Sequence, residues 1–242
     1  GIGEKGRLQI EITMKGSSAH ASIPWKGNNV FYALAQALEH IQIYEAERDT
    51  SNSFFDYLAT FAIEHKPSSE NIDEIIGEVE SHNQTLGTML RALSRMTLTP
   101  TIVSGGVKSN SVPESVTLTC DVRTLPHQGK DYVKKEITRI LESVPGVEFE
   151  IDYMAVANSS PYQTDFVSSI KVATERALGR ADLQWVPGIS TGFTDSRFTR
   201  QLGVDTYGFE GTHPDDDHLI KNVHGTDESE SIRSLICGTK IM

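Results

Sequence analysis

The chain is 242 residues long, 38% apolar and 23% charged, the make-up of one large or two small globular domains. Its net charge of −11, from 33 acidic against 22 basic side chains, excludes a broad nucleic-acid-binding face, which needs concentrated positive charge, but not a single arginine that binds a small anion locally. There is no apolar run long enough to span a bilayer and no leader pattern, and Cys120 and Cys237 sit in apolar patterns that read as buried free thiols, so a cytoplasmic protein that binds neither nucleic acid nor membrane is expected.

The first element is a strand over 8–14, with Leu8, Ile10, Ile12 and Met14 on one face and Gln9, Glu11 and Thr13 on the other, the two-residue period of a half-buried strand. A loop with Gly16, Pro24 and Gly27 follows. A helix then starts at Asn28 or Asn29, either of which suits a cap, with an apolar stripe of Val30, Phe31, Leu34, Leu38 and Ile41. Residues 45–97 carry apolar sets spaced for two or three short helices: Phe54, Phe55, Tyr57, Leu58 and Phe61, then Ile72, Ile75, Ile76 and Val79, then Leu86, Met89, Leu90 and Leu93. Stripes of this kind usually pack, so the insertion is expected to decorate the domain, a flap facing substrate or partner being the alternative.

A strand over 99–104 and one over 114–123 are separated by a turn marked by Gly105-Gly106 and Ser109-Asn110. The second strand points Val116, Leu118, Cys120 and Val122 inward. A helix over 129–143 (Val133, Ile137, Ile140, Leu141) and a strand through Val147, Phe149, Ile151 and Tyr153 complete the order β-α-β-β-α-β over 6–158. That order predicts an α+β, ferredoxin-like layer in which two helices cover one face of a four-stranded sheet and leave the other face polar.

After Ser160-Pro161 the pattern changes to α/β alternation: a helix over 165–178 (Phe166, Ile170, Ala173, Ala177), a strand near 183–186, a helix near 194–202, a strand near 204–209 and a last helix after Asp227. This suits a largely parallel sheet, yet two or three strands do not bury both faces of one. Residues 159–242 therefore read as a partial α/β catalytic-domain segment and residues 1–5 as a linker. The chain opens with Gly1 and closes on the apolar run SLICGTKIM, so both ends are read as lying inside a larger protein.

Five segments carry chemistry: GSSAHASIPWKGNN around His20, SGGVKSNSVPE around Asn110, DVRTLP around Arg123, STGFTDSRF around Asp195, and VHGTDE with His224. Singly, their key residues have ordinary explanations. His20 can bond its own loop, and Asn110 suits a tight turn through its tolerance of left-handed φ. Arg123, on the polar strand face, can pair with Asp121, and His224 can cap the helix that follows. A catalytic zinc needs about three protein ligands, so His224 alone makes no site. The run His213-Pro214-Asp215-Asp216-Asp217-His218 is a local rival, but neighbouring carboxylates tend to splay into solvent rather than converge.

As an ordered set, these segments resemble the co-catalytic zinc family of aminoacylase, acetylornithine deacetylase, succinyl-diaminopimelate desuccinylase and glutamate carboxypeptidase. The resemblance covers about 1–41 and 98–242 and leaves the insertion unmatched. It implies a dimerising β-α-β-β-α-β lid inserted into a di-zinc catalytic domain. It also implies residue roles: His20 reaches across the dimer to the oxyanion in the partner's site, and Asn110 and Arg123 hold the substrate's carboxylate. The backbone N–H groups of Gly192 and Phe193 line the pocket at a helix N-terminus, and His224 is the last metal ligand. The family's other ligands, which include a His-x-Asp pair and a Glu-Glu pair with the general base, lie upstream of the lid and match nothing before Gly16 in this chain. The expectation is part of a homodimeric di-zinc amidohydrolase or exopeptidase acting on N-acyl amino acids or small peptides. Two zinc ions would belong to the full-length parent, none would be held specifically by this chain, and this chain alone would be inactive. A non-catalytic dimerisation module and a small-carboxylate binder are the alternatives.

Overall fold

The computed structural model describes residues 1–209, 211–213, 215–216 and 226–242, without the side chains of 153 and 154. In chain order its elements are β1 (Gly3–Glu4), β2 (Gly6–Lys15), β3 (Ala19–His20), α1 (Val30–Gln42), α2 (Ile72–Glu80), α3 (Gln84–Leu93), β4 (Thr97–Gly105), β5 (Ser111–Val112), β6 (Ser115–Thr124), α4 (Lys130–Leu141), β7 (Val147–Ala155), β8 (Asn158–Ser159), α5 (Asp165–Leu178), β9 (Ile189–Ser190), α6 (Ser196–Gln201) and α7 (Ile232–Ile241).

Four of the strands form one antiparallel sheet in the order β4-β6-β2-β7. The alternation in β2 and β6 sends Leu8, Ile10, Ile12, Met14, Val116, Leu118, Cys120 and Val122 to one face, each no more than 1% exposed. Burying an aliphatic side chain of this size contributes about 2 kcal/mol. The helices α1 and α4 cover that face through Val30, Ala37, Ile41, Val133, Ile137 and Leu141, and His40 Nδ1 lies 2.9 Å from the Ile140 carbonyl where the two helices meet. The expected β-α-β-β-α-β order with a polar outer face is therefore what forms.

The Asn29 side chain caps α1 by accepting the Phe31 N–H at 3.0 Å. The buried stripe is rotated from expectation. Ala33 and Ala37 face the sheet with Val30 and Ile41, while Phe31 is 41% exposed. Alanines let the helix axis lie close to the strands, a place too tight for a phenyl ring, and Phe31 rests against Gly106 instead.

The insertion folds as a 3-10 helix (Ser53–Phe61) followed by α2 and α3. Its core is separate from that of the sheet: Phe54, Phe55, Leu58, Ile72, Ile75, Ile76, Val79, Leu86, Leu90 and Leu93 pack together and against Val186 and Ile189 of the C-terminal region. Its apolar face, packed as the spacing suggests, leans on the tail.

The tail departs from the expected alternation. The segments near 183–186 and 204–209 are not strands: a strand needs a continuous ladder, and among the described residues the second segment has only the single exchange between Gly208 and Gly1. Residues 1–5, expected as a linker, supply the centre of a small sheet: β1 pairs antiparallel with β8 and parallel with β9, and Ile2, Glu4 and Lys5 are buried. On α5 the inward residues are Val167 and Thr174, not Phe166, which is 61% exposed and lies beside the Tyr207 ring. Asp227 has a left-handed φ of 60°, which interrupts helical geometry, and α7 starts later, with the Ser231 hydroxyl accepting the Ser234 N–H.

Candidate functional site

His20 and Asn110 are brought together. The short ladder β3–β5 sets His20 opposite Ser111, and the Ala21 N–H donates to the Asn110 carbonyl at 3.0 Å. The exposed His20 ring accepts the Ser22 N–H at Nδ1 (3.2 Å), with the Ser22 hydroxyl 2.7 Å from the same nitrogen. An Nδ1 that accepts leaves the proton of the neutral ring on Nε2, so the outward nitrogen is a hydrogen-bond donor.

Arg123 is elsewhere. The Lys15–Ser115 pair closes the sheet next to His20 and Asn110, whereas Arg123 pairs with Arg7 near the other end. From Ser115 to Arg123 the extended chain of β6 runs about 26 Å. Within one chain, Asn110 and Arg123 do not share a small ligand.

Arg123 lies in a cationic cluster. Arg7 and Arg123 are direct cross-strand partners on the polar face, and Asp121 binds both: Arg7 Nε donates to Oδ2 at 2.8 Å and Arg123 Nε to Oδ1 at 2.6 Å. Burial pushes the Asp121 carboxyl up, but the hydrogen bonds from Arg123 and Arg7 outweigh it and hold it below the usual carboxylate range. The pairing of Arg123 with Asp121 that an ordinary surface arginine would make is thus present, with a second arginine added. The loop after β9 closes over the pair. Arg123 reaches the Thr191 carbonyl at 3.4 Å, and the Phe193 ring centroid is 5.7 Å from the Arg7 guanidinium carbon, 5.9 Å from that of Arg123 and 4.8 Å from that of Arg197. A ring face among guanidinium groups holds them by cation–π attraction.

Two buried charges beneath this cluster escaped the sequence reading. Lys5 donates from Nζ to the carbonyls of Ala92 (2.6 Å) and Arg95 (2.7 Å) at the end of α3. Burial, with Arg123 and Arg95 nearby, brings its ammonium down to about 7. Glu4 accepts the Thr194 hydroxyl and lies 3.6 Å from Arg200, both side chains almost fully buried, and Arg200 also donates to Asn158, Ser160 and Thr206. These bonds seat the STGFTDSRF segment on β1. The charges of GEKGR were visible in the sequence, but their inward direction depends on β1 being a central strand.

The backbone role expected of Gly192 needs correction. Its N–H donates to the Ser190 hydroxyl at 3.1 Å, and α6 begins only at Ser196, so Gly192 and Phe193 precede the helix rather than form its N-terminus. Phe193 contributes its ring.

His224 lies outside the described residues, as do Pro214, Asp217 and His218 of the acidic run. In the described part of that run, Asp215 is 3.4 Å from Arg180. The guanidinium of Arg233, with the hydroxyls of Ser231 and Ser234, holds the Asp216 carboxyl well below the usual range. These carboxylates are bound within the protein. Among the described residues no three His, Cys, Asp or Glu side chains converge as metal ligands. The described residues therefore do not fit a zinc centre, which takes about three converging ligands.

The chain belongs to the M20 peptidase dimerisation domain family, whose model matches residues 2–147. It is 26% identical over 140 residues, 58% of this chain and 31% of that protein, to a probable succinyl-diaminopimelate desuccinylase of Staphylococcus epidermidis. It is 23% identical over 155 residues, 62% of this chain and 26% of that protein, to an uncharacterized carboxypeptidase of Schizosaccharomyces pombe. Among solved structures, the M20 family metallo-carboxypeptidase Sso-CP2 of Sulfolobus solfataricus (TM-score 0.63, 16% identity, 99% of this chain and 57% of that one) and the di-peptidase Dug1p of Saccharomyces cerevisiae (TM-score 0.64, 14% identity, 100% and 53%) share the fold. The chain thus spans about a quarter to a third of these curated relatives and just over half of these solved chains. No helix among the described residues is long and apolar enough to cross a membrane.

Proposed function

We propose that the chain forms the dimerising lid and closing segment of a cytoplasmic, homodimeric di-zinc amidohydrolase or exopeptidase that cleaves the amide bond of N-acyl amino acids or small peptides. The lid spans 6–158 with its insertion at 45–97, and 159–242 belongs to the catalytic domain. Zinc would be held by residues outside the described set, His224 among them, and the chain alone would lack turnover.

The observation that carries this reading is the division of the lid's polar groups between two ends of one sheet. A two-fold axis across the lids sets the His20–Asn110 end of one subunit against the Arg123 end of its partner. The planar fork of Arg123 suits a substrate carboxylate, the Nε2–H of His20 suits the oxyanion that develops on the scissile carbonyl, and Asn110 acts beside His20.

The test is zinc-dependent release of an amino acid from N-acyl amino acids by a protein in which this chain is joined to the residues completing the metal centre. There His20→Ala should lower turnover by ~10²–10³, the usual loss for one oxyanion donor, with zinc content unchanged. Unaltered turnover would remove the role assigned to His20.

A further inference from the structure

Arg7 has no role in the division of the site described above, yet it is built like Arg123. The two residues are directly opposite in the β2–β6 ladder, which puts their backbones about 5 Å apart and their side chains on the same face. Like charges so placed repel. The single carboxylate of Asp121 takes Nε of each arginine, so two positive charges share one negative charge, with the ammonium of Lys5 nearby. The terminal NH1 and NH2 of Arg7 make no hydrogen bond to the described residues, while those of Arg123 reach Asp121 and Thr191. Both side chains remain about a quarter exposed. Phe193 covers one flank of both and limits their rotation. A pair meant for sheet stability alone would balance its charge. This one is over-charged and oriented, and of the five N–H donors that each guanidinium carries, Arg7 spends one and Arg123 three on the described residues.

We infer that Arg7 is a second anion-binding arginine of the Arg123 site, so that the preferred ligand carries two acid groups, one on each guanidinium. The spacing of about 5 Å set by paired strands suits a dicarboxylate whose acid groups are two or three methylenes apart. Asp121 orients both forks, and Phe193 excludes water from one side. This specificity rests on the reading of Arg123 as the residue that holds the substrate's carboxylate.

The test is an NMR titration of the 242-residue chain with glutarate and with acetate, following the arginine Nε–Hε signals. Glutarate should bind about tenfold more tightly than acetate, the gain from one added charge-assisted contact, and should move the Arg7 and Arg123 signals together. Arg7→Gln should reduce glutarate to the affinity of acetate. Arg7→Lys, which keeps the charge but loses the fork, should retain part of the preference, and Arg123→Gln should weaken both ligands. Melting temperatures of the variants report on folding separately. Equal affinities in the unaltered chain, or a preference that survives Arg7→Gln, overturn the proposal, and a lowered melting temperature with the preference intact does so as well. Hydrolysis is read separately in the completed protein. A failed hydrolysis assay with the Arg7 effect present removes the amidohydrolase reading and leaves the dianion site standing.

Discussion

Asn110 stands beyond one end of the β2–β6 ladder and Arg123 sits one pair from the other, with most of the length of β6 between them. If both serve one small substrate, two chains must meet, and β4, one of the two edge strands of the sheet, is an edge on which they can. It carries Ile102 and Val103 at 60% and 54% exposed, next to Val107 at 93%. An apolar, unpaired strand edge invites pairing with another chain. Ile102→Lys should convert a dimer to a monomer in sedimentation velocity, with folding stability changed by no more than about 0.5 kcal/mol, as for an exposed site. A variant that remains dimeric would move the interface elsewhere.

Asp121 should matter beyond its own size. Asp121→Asn removes the shared counter-charge of Arg7 and Arg123, and a loss of about 2 kcal/mol is expected for hydrogen bonds to a charged group. The folded carboxyl titrates below its ordinary 3.8, so its contribution is complete above that value and fades as pH falls through the folded one. Urea unfolding across the acid range should show a shallower acid limb in the variant, and parallel limbs would contradict the assignment.

Lys5 predicts a rise of the same sign in alkali. Its folded ammonium releases its proton near 7, against 10.5 for an ordinary lysine. Between those values the unfolded chain binds more protons, so this residue makes stability rise with pH across that window and contributes no slope below it. Lys5→Met should remove that rise when the two proteins are compared by urea unfolding. An identical slope would show that the ammonium is not held where its bonds to Ala92 and Arg95 place it.

The insertion has its own core, so a cavity in it should report there. Leu90 is fully buried, and Leu90→Ala should cost about 2–5 kcal/mol. Hydrogen exchange should quicken in α2 and α3 ahead of the β2–β6 ladder, and uniform acceleration would mean that the two cores unfold as one.

The four-stranded sheet was legible because its strands bury a single face. The two-residue alternation of Leu8 to Met14 and Val116 to Val122 has one solution, and the helical spacing from Ile72 to Leu93 has one apolar stripe. The tail was not legible because its extended segments depend on distant partners: Gly3 and Glu4 pair with residues more than 150 positions away, and no local pattern reports that. The same gap hid the inward turn of Glu4 and Lys5. Arg7 was readable in part, since it shares the parity of Gln9 and Glu11 and so the polar face. That it meets Arg123 is a matter of register, which composition and spacing leave open.

The most direct test of the shared site is subunit complementation in the completed protein. His20→Ala and Arg123→Gln homodimers should each be nearly inactive. After unfolding and refolding as an equal mixture they should recover about a quarter of the unaltered activity, because half the dimers are mixed and each of those holds one intact site. Activity that stays at the level of the separate variants would show that His20 and Arg123 do not meet across a dimer.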